Sequence, residues 1–180
     1  LILAISMRMW SEERNSGTLE LLLTLPISKI EIILGKFLAA WLFSGIALIL
    51  TFPLWISVNY LGDPDNGVIF ASYIGSWLMA GGFLSIGSCM SALTRSQVVA
   101  FVLCGFITLL FVMAGFPLVL DVFRGWVPLL ILDAITSLSF LTHYNSITKG
   151  VLSLNDFLYF ISIIVAWLFA TAIAIESKKS

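Results

Sequence analysis

Few residues in this chain are of a type and spacing that could do chemistry, and most reactions are excluded by that alone. A phosphate-cradling loop needs the spacing G-x-x-x-x-G-K-[ST]. The Gly-Lys pair of the chain, Gly35-Lys36, is followed by Phe37 and has Ile30 where the first glycine should stand. The chain therefore has no ATP site, cofactor site or metal site of its own in its sequence, and catalytic residues are expected to be none. His143 is the sole histidine, so no paired-histidine metal site exists, and it reads as a lone polar residue at a membrane interface. Cys89 and Cys104 lack a C-x-x-C spacing and read as small packing residues. What remains is a polar segment from Glu12 to Glu31, whose acids, caps and chain breaks suit contact with a partner better than bond-making.

The elements that hold this segment follow from composition. Of the 180 residues, 60% are hydrophobic and only 11% charged, with 9 Lys and Arg against 10 Asp and Glu; the mean hydropathy is +1.09. Soluble domains carry about 25% charged residues, so this chain cannot coat its apolar mass for water. A disordered chain, a disulfide-rich module and a nucleic-acid binder are excluded with it.

Charge-free runs extend over Phe37–Gly62, Asn66–Thr94, Ser96–Leu120 and Phe157–Ile175. About 20 helical residues cross the roughly 30 Å hydrocarbon layer, so the runs predict an all-α, polytopic bundle with four complete spans. The boundaries expected are one transmembrane domain over 1–180. It comprises the end of a span at 1–7, a cytoplasmic coupling segment at 8–29, and spans at 30–61, 68–94, 98–120 and 157–175. Outward-side helices fill 121–156, and a cytoplasmic tail follows at 176–180. The apolar stretch from Leu1 to Met7 is too short to cross and reads as the end of a helix continuing upstream.

Arg8, Arg14, Lys29, Lys36, Arg95, Lys178 and Lys179 fall on one side of these spans, and only Arg124 and Lys149 on the other. The positive-inside bias puts the first group, and the C-terminus, in the cytoplasm. Between Gly125 and Thr148 the run is short and polar, which predicts short helices dipping into the outer leaflet in preference to a fifth span. No charged residue lies inside the four charge-free runs, which argues against a proton-coupled carrier and an intramembrane enzyme.

Local signals are densest before the first complete span. Ser28-Lys29-Ile30-Glu31 is a capping-box pattern flanked by Ile27 and Ile32, so a helix should start at Lys29, with Pro26 barring any continuous helix from upstream. Leu19, Leu22 and Leu23 form one face of a short helix after Gly17, with Ser16 or Thr18 as its cap and Glu20 in its first turn. Glu12, Glu13 and Arg14 form a lead-in after an interfacial Trp10. Two readings stay open: a surface loop with leucines resting on lipid, or a lever that passes force from a soluble partner into the helix beginning at Ser28.

The run Glu12-Glu13-Arg14-Asn15-Ser16-Gly17-Thr18-Leu19-Glu20-Leu21-Leu22-Leu23-Thr24-Leu25-Pro26-Ile27-Ser28 closely resembles the E-E-x-x-x-G-T-x-E-x-L-L-x-x-P-[IV]-S segment of type 2 ABC export permeases. Similarity continues in Ala92–Phe101, His143–Val151 and Asp156–Phe160, and looks nearest to the gliding-motility-associated branch. Asn145 departs from the Glu or Gln of many relatives, and Asn155 from a common Arg. The resemblance implies a six-span permease of the bacterial cytoplasmic membrane, of which spans three to six lie here. It also implies a coupling helix over Gly17–Leu25 and short re-entrant helices on the outward side. The implied partners are two copies of an ABC ATPase subunit, which bind the ATP and Mg, and a second permease subunit in a homo- or heterodimer. Glu13, Gly17, Thr18, Glu20 and Pro26 are the expected ATPase-coupling residues. A membrane scaffold for an ATPase-linked machine, without translocation, is the alternative.

Overall fold

The computed structural model describes residues 1–177, apart from the side chains of Leu19 and Leu23. Two leucines of the expected apolar face, and Lys178 and Lys179 of the expected tail, thus lie outside the described residues. All regular structure among the described residues is helical. In chain order the helices are α1 (Ile2–Ser16), α2 (Thr18–Thr24), α3 (Lys29–Ile49), α4 (Phe52–Leu61) and α5 (Asn66–Leu93). They continue with α6 (Gln97–Met113), α7 (Pro117–Phe123), α8 (Leu129–Ser137), α9 (Phe140–Thr148) and α10 (Leu154–Glu176).

Helix ends follow local chemistry. α3 begins at Lys29 because the capping box is made in full: Ser28 Oγ accepts from the Glu31 amide at 3.3 Å, and the Ser28 amide donates to Glu31 Oε2 at 2.9 Å. Asp65 caps α5 and Ser153 caps α10 in the same way, each accepting from an amide of the first turn. The start of α2 differs from expectation. α1 runs on through Glu12, Glu13 and Arg14 to Ser16, so Gly17 closes α1 and opens α2 at once, with φ 73°. That left-handed backbone suits glycine. Ser16 and Thr18 do not cap α2; their hydroxyls bond each other at 2.9 Å and reach the Glu13 carbonyl at the end of α1.

Three stretches are long and apolar enough to cross a membrane: Lys29–Leu61, Asn66–Leu93 and Leu154–Glu176. A fourth is counted if α6 and α7, bent by 75°, make one crossing. The bend is the work of Pro117, which has no N–H to give α6 and holds Phe116 in extended backbone at φ −79° and ψ 125°. The run expected as one span over 98–120 is therefore a helix ending at Met113 and a second one turned aside. α6 itself, at 17 residues, is about 26 Å long, close to the apolar thickness of a bilayer. α8 and α9 have nine residues each, and neither is long enough to cross.

α5 is the axis of the bundle, with α1, α3, α6, α9 and α10 all packed against it. Its small residues let them approach. A Cβ on Gly87 would collide with Ser6 of α1 and lie 3.2 Å from Cys104 of α6; one on Gly82 would come within 2.8 Å of Phe140. The row of Gly81, Ser85 and Cys89 thus serves helix packing, the usual role of small residues between spans. Phe140, at the start of α9, is fully buried among Phe83, Phe111, Tyr159 and Phe160. Outward faces of α3, α6 and α10, such as Leu42, Ile46, Val102, Phe106, Val165 and Phe169, are exposed and apolar.

Candidate functional site

The polar residues gather at the two ends of the bundle, and hydrogen bonds reveal which helix termini share an end. At the first end, Lys29 at the start of α3 pairs with Glu176 at the end of α10, 2.8 Å apart. Arg14 in the last turn of α1 donates to the Ala92 carbonyl in the last turn of α5, where a cation offsets the helix dipole. Burial, and then the nearby charge of Arg95, pull the Arg14 guanidinium below its usual range.

The same end holds the α1–α3 junction. Lys36 pairs with Glu13 Oε1, donates to the Met9 carbonyl at 3.1 Å, and sits 4.3 Å above the Trp10 ring. Glu13 Oε2 is buried with no hydrogen-bond partner among the described residues. Trp10, expected at the membrane surface, is instead 2% exposed. Its indole N–H donates to Ser88 Oγ at 3.0 Å, and its backbone amide to Ser91 Oγ at 3.0 Å. α1 is thereby held to α3 by an ion pair and to α5 by hydroxyls.

α2 projects from this anchored junction. Leu21 is 68% exposed, and Glu20, Leu25, Pro26 and Ile27 are exposed with it. Leu25 takes the extended backbone that a following proline demands, with φ −67° and ψ 146°, and ends the helix. Of the five residues singled out from the sequence, Gly17, Thr18, Glu20 and Pro26 lie on or beside this projection. Glu13 faces inward toward Lys36, and reaches α2 through its carbonyl, which accepts from Ser16 and Thr18.

The second end is closed by α8, α9 and the start of α10. His143 is not alone there: Nδ1 lies 2.6 Å from Asp156 Oδ1, Nε2 lies 2.9 Å from the Ser137 carbonyl, and the ring stacks 3.8 Å from that of Tyr159. Ser153 donates to Asp156 Oδ2 at 2.6 Å, and Tyr159 O–H to the Leu138 carbonyl. Both turn carbonyls between α8 and α9 are thus satisfied by side chains. Phe140 meets Gly82 near the middle of α5, and Ser139 beside it is fully buried, so the turn packs against the bundle. His143 and Tyr159 therefore supply structural donors rather than a reactive pair.

A family model described as ABC-2 family transporter protein matches residues 1–177. The chain belongs to that family. The ABC-2 family comprises membrane subunits of ABC transporters, generally non-catalytic and normally working with an ABC ATPase. No curated protein matches the chain significantly.

For an ABC-2 membrane subunit, several residues of the first end went unnoticed in the sequence. Lys36 counted there only toward orientation, yet it lies between Ile33 and Phe37, both buried. A cation on the buried face of an apolar helix demands a partner, and that spacing was the available signal. Ser88 and Ser91 carried no signal beyond being small. His143 and Asp156 are separated by a turn and a helix end, so no helical spacing links them.

Proposed function

We propose that this chain is the permease subunit of an ATP-driven exporter, and that α2 with its flanks over Glu12–Pro26 is where a separate ABC ATPase docks. The observation that carries this reading is a short helix with exposed Leu21 and Glu20, mounted on two anchored helices. Gly17 joins it to α1, which is tied to α3 and α5; Pro26 and the capping box join it to α3. A load on α2 would reach the bundle from both sides. Closure of two ATPase subunits around ATP and Mg would favour one arrangement of the spans through differential binding. A second permease subunit, identical or related, would complete the path.

Parity supports four crossings, equivalent to spans three to six of six. α3 starts, and α10 ends, at the charged end, because Lys29 bonds Glu176. α5 ends there too, and α10 starts at the other end beside His143, so α6 must carry the chain across. The charged end holds Arg8, Arg14, Lys29, Lys36 and Arg95, which supports a cytoplasmic position for it in a bacterial inner membrane. The α8–α9 turn, which reaches mid-bundle, then acts as a re-entrant plug on the outward side. The finer placement beside the gliding-motility branch rests on the motifs quoted above.

The test replaces Gly17, Thr18 and Glu20 together with alanine in the full-length protein expressed with its ATPase. Insertion should be unchanged while co-purification of the ATPase, or ATP-driven export, is lost. Unchanged association and export would sink the assignment. Function that survives disabling the ATP site in an assembled complex would point to a scaffold instead.

A further inference from the structure

The docking reading leaves open how motion of α2 enters the spans, and the capped start of α3 is the obvious route. A second route is built into α1. Ser91 Oγ, fully buried on α5, accepts from the Trp10 amide at 3.0 Å and from the Ser11 amide at 2.9 Å, and donates to the Met7 carbonyl at 3.0 Å. In a regular helix the Ser11 amide and the Met7 carbonyl bond each other. The Ser91 hydroxyl binds at both ends of that turn, beside the bond that Ser11 Oγ makes to the same Met7 carbonyl, while α1 stays one continuous helix over Ile2–Ser16. The contact sits where α1 changes from the apolar run Ile2–Met7 to the polar run Arg8–Ser16. Trp10 Nε1 on Ser88 and Arg14 on the Ala92 carbonyl extend the grip along the last two turns of α5.

We propose that Ser91 is a positioning residue that clamps the Met7–Ser11 turn of α1 to α5, so that motion of the docking segment turns α5 rather than travelling along α3. Two observations favour α5 as the follower. It touches five of the other helices, so any rotation of it is shared by the bundle. α3, by contrast, buries only Ile33, Phe37 and Ser44, and much of its remaining surface is exposed. The proposal rests on the reading that α2 receives the ATPase.

The experiment uses the full-length protein co-purified with its ATPase in lipid nanodiscs. Hydrogen exchange is measured over 18–24 and 85–93 without nucleotide and with ATP plus orthovanadate. Ser91→Ala should fold, because Met7, Trp10 and Ser11 lie within one continuous helix whose own carbonyls and amides can serve them. Ser85→Ala is the control, since it deletes a buried hydroxyl of the same helix that bonds only its own Gly82 carbonyl. In the unaltered protein and in Ser85→Ala, nucleotide should change exchange in both segments. In Ser91→Ala the change at 18–24 should persist while that at 85–93 is lost. Ser28→Ala, which uncaps α3, should leave the response at 85–93 in place. An undiminished response at 85–93 in Ser91→Ala overturns the clamp while leaving docking intact. Failure of the unaltered protein to bind the ATPase, or to respond at 18–24, overturns the docking reading and the clamp with it.

Discussion

The two ends of the bundle use buried polar groups in opposite ways. At the charged end, bonds from Lys36, Arg14, Trp10 and Ser91 run between long helices and leave α2 outside, with Leu21 and Glu20 exposed. At the other end, His143, Ser153 and Tyr159 spend their bonds on one carboxylate and on the carbonyls of a turn, drawing α8 and α9 inward. One end ties long helices to one another. The other ties a turn to the helices around it. The difference teaches that polar groups in a membrane bundle should be judged by which backbone they serve, since the same bond types join helices at one end and serve a turn at the other; in the proposed function these become a lever and a plug.

This contrast can be broken or sharpened by substitution. The largest loss of stability is expected from His143→Ala, which removes the ring that Asp156 and the Ser137 carbonyl share as a partner. About 3 kcal/mol should disappear from reversible unfolding in mixed micelles, the scale for breaking one side of a buried pair. A loss no greater than that of an exposed substitution would refute the plug.

Lys36→Met should cost less, because the pair with Glu13 is about a quarter exposed on each side and is partly screened. About 1–2 kcal/mol is expected, with raised hydrogen exchange in 9–16 and little change in 140–148. Exchange rising equally at both ends would show that the ends are not independent. Gly17→Ala comes next. No atom lies within 4 Å of a Cβ there, so only the positive φ opposes it, at about 1 kcal/mol. The measurement is the melting midpoint, and a rise in stability would mean that the left-handed turn is not kept.

The smallest effect on stability should come from Leu21→Ser. Its side chain is exposed, so the unfolding free energy should move by less than about 0.5 kcal/mol, while pull-down of the ATPase falls sharply. This pairing of a neutral fold with a lost partner separates a handle from a structural leucine. A variant that both unfolds easily and still binds would reverse the assignment.

Much of the fold was legible because it depends on near neighbours. Ser28 and Glu31 form their capping box within one turn, Pro26 ends α2 through Leu25, and the charge-free runs meet a fixed bilayer thickness. The break at Pro117 was equally local, but it was hidden by the uninterrupted apolar composition around it. The continuation of α1 to Ser16 follows from Glu12, Glu13 and Arg14 being good helix formers, a weak local preference that a run of charges masks. Of the candidate site, Gly17, Thr18, Glu20 and Pro26 could be read as a punctuated helix, whereas the inward turn of Glu13 could not.

By itself, then, the sequence determined membrane residence, an all-helical chain, the end of α2 and the start of α3. These follow from transfer energy and backbone sterics, which act over a few residues. Only the tertiary structure decided that Lys36 meets Glu13, that His143 meets Asp156, and that Ser91 bonds Met7, Trp10 and Ser11 of α1. Each of those pairings depends on which faces of distant helices are turned together, and in an apolar bundle many rotations bury similar surface. The close approaches at Gly82 and Gly87, and the need to satisfy every buried polar group, select one of them.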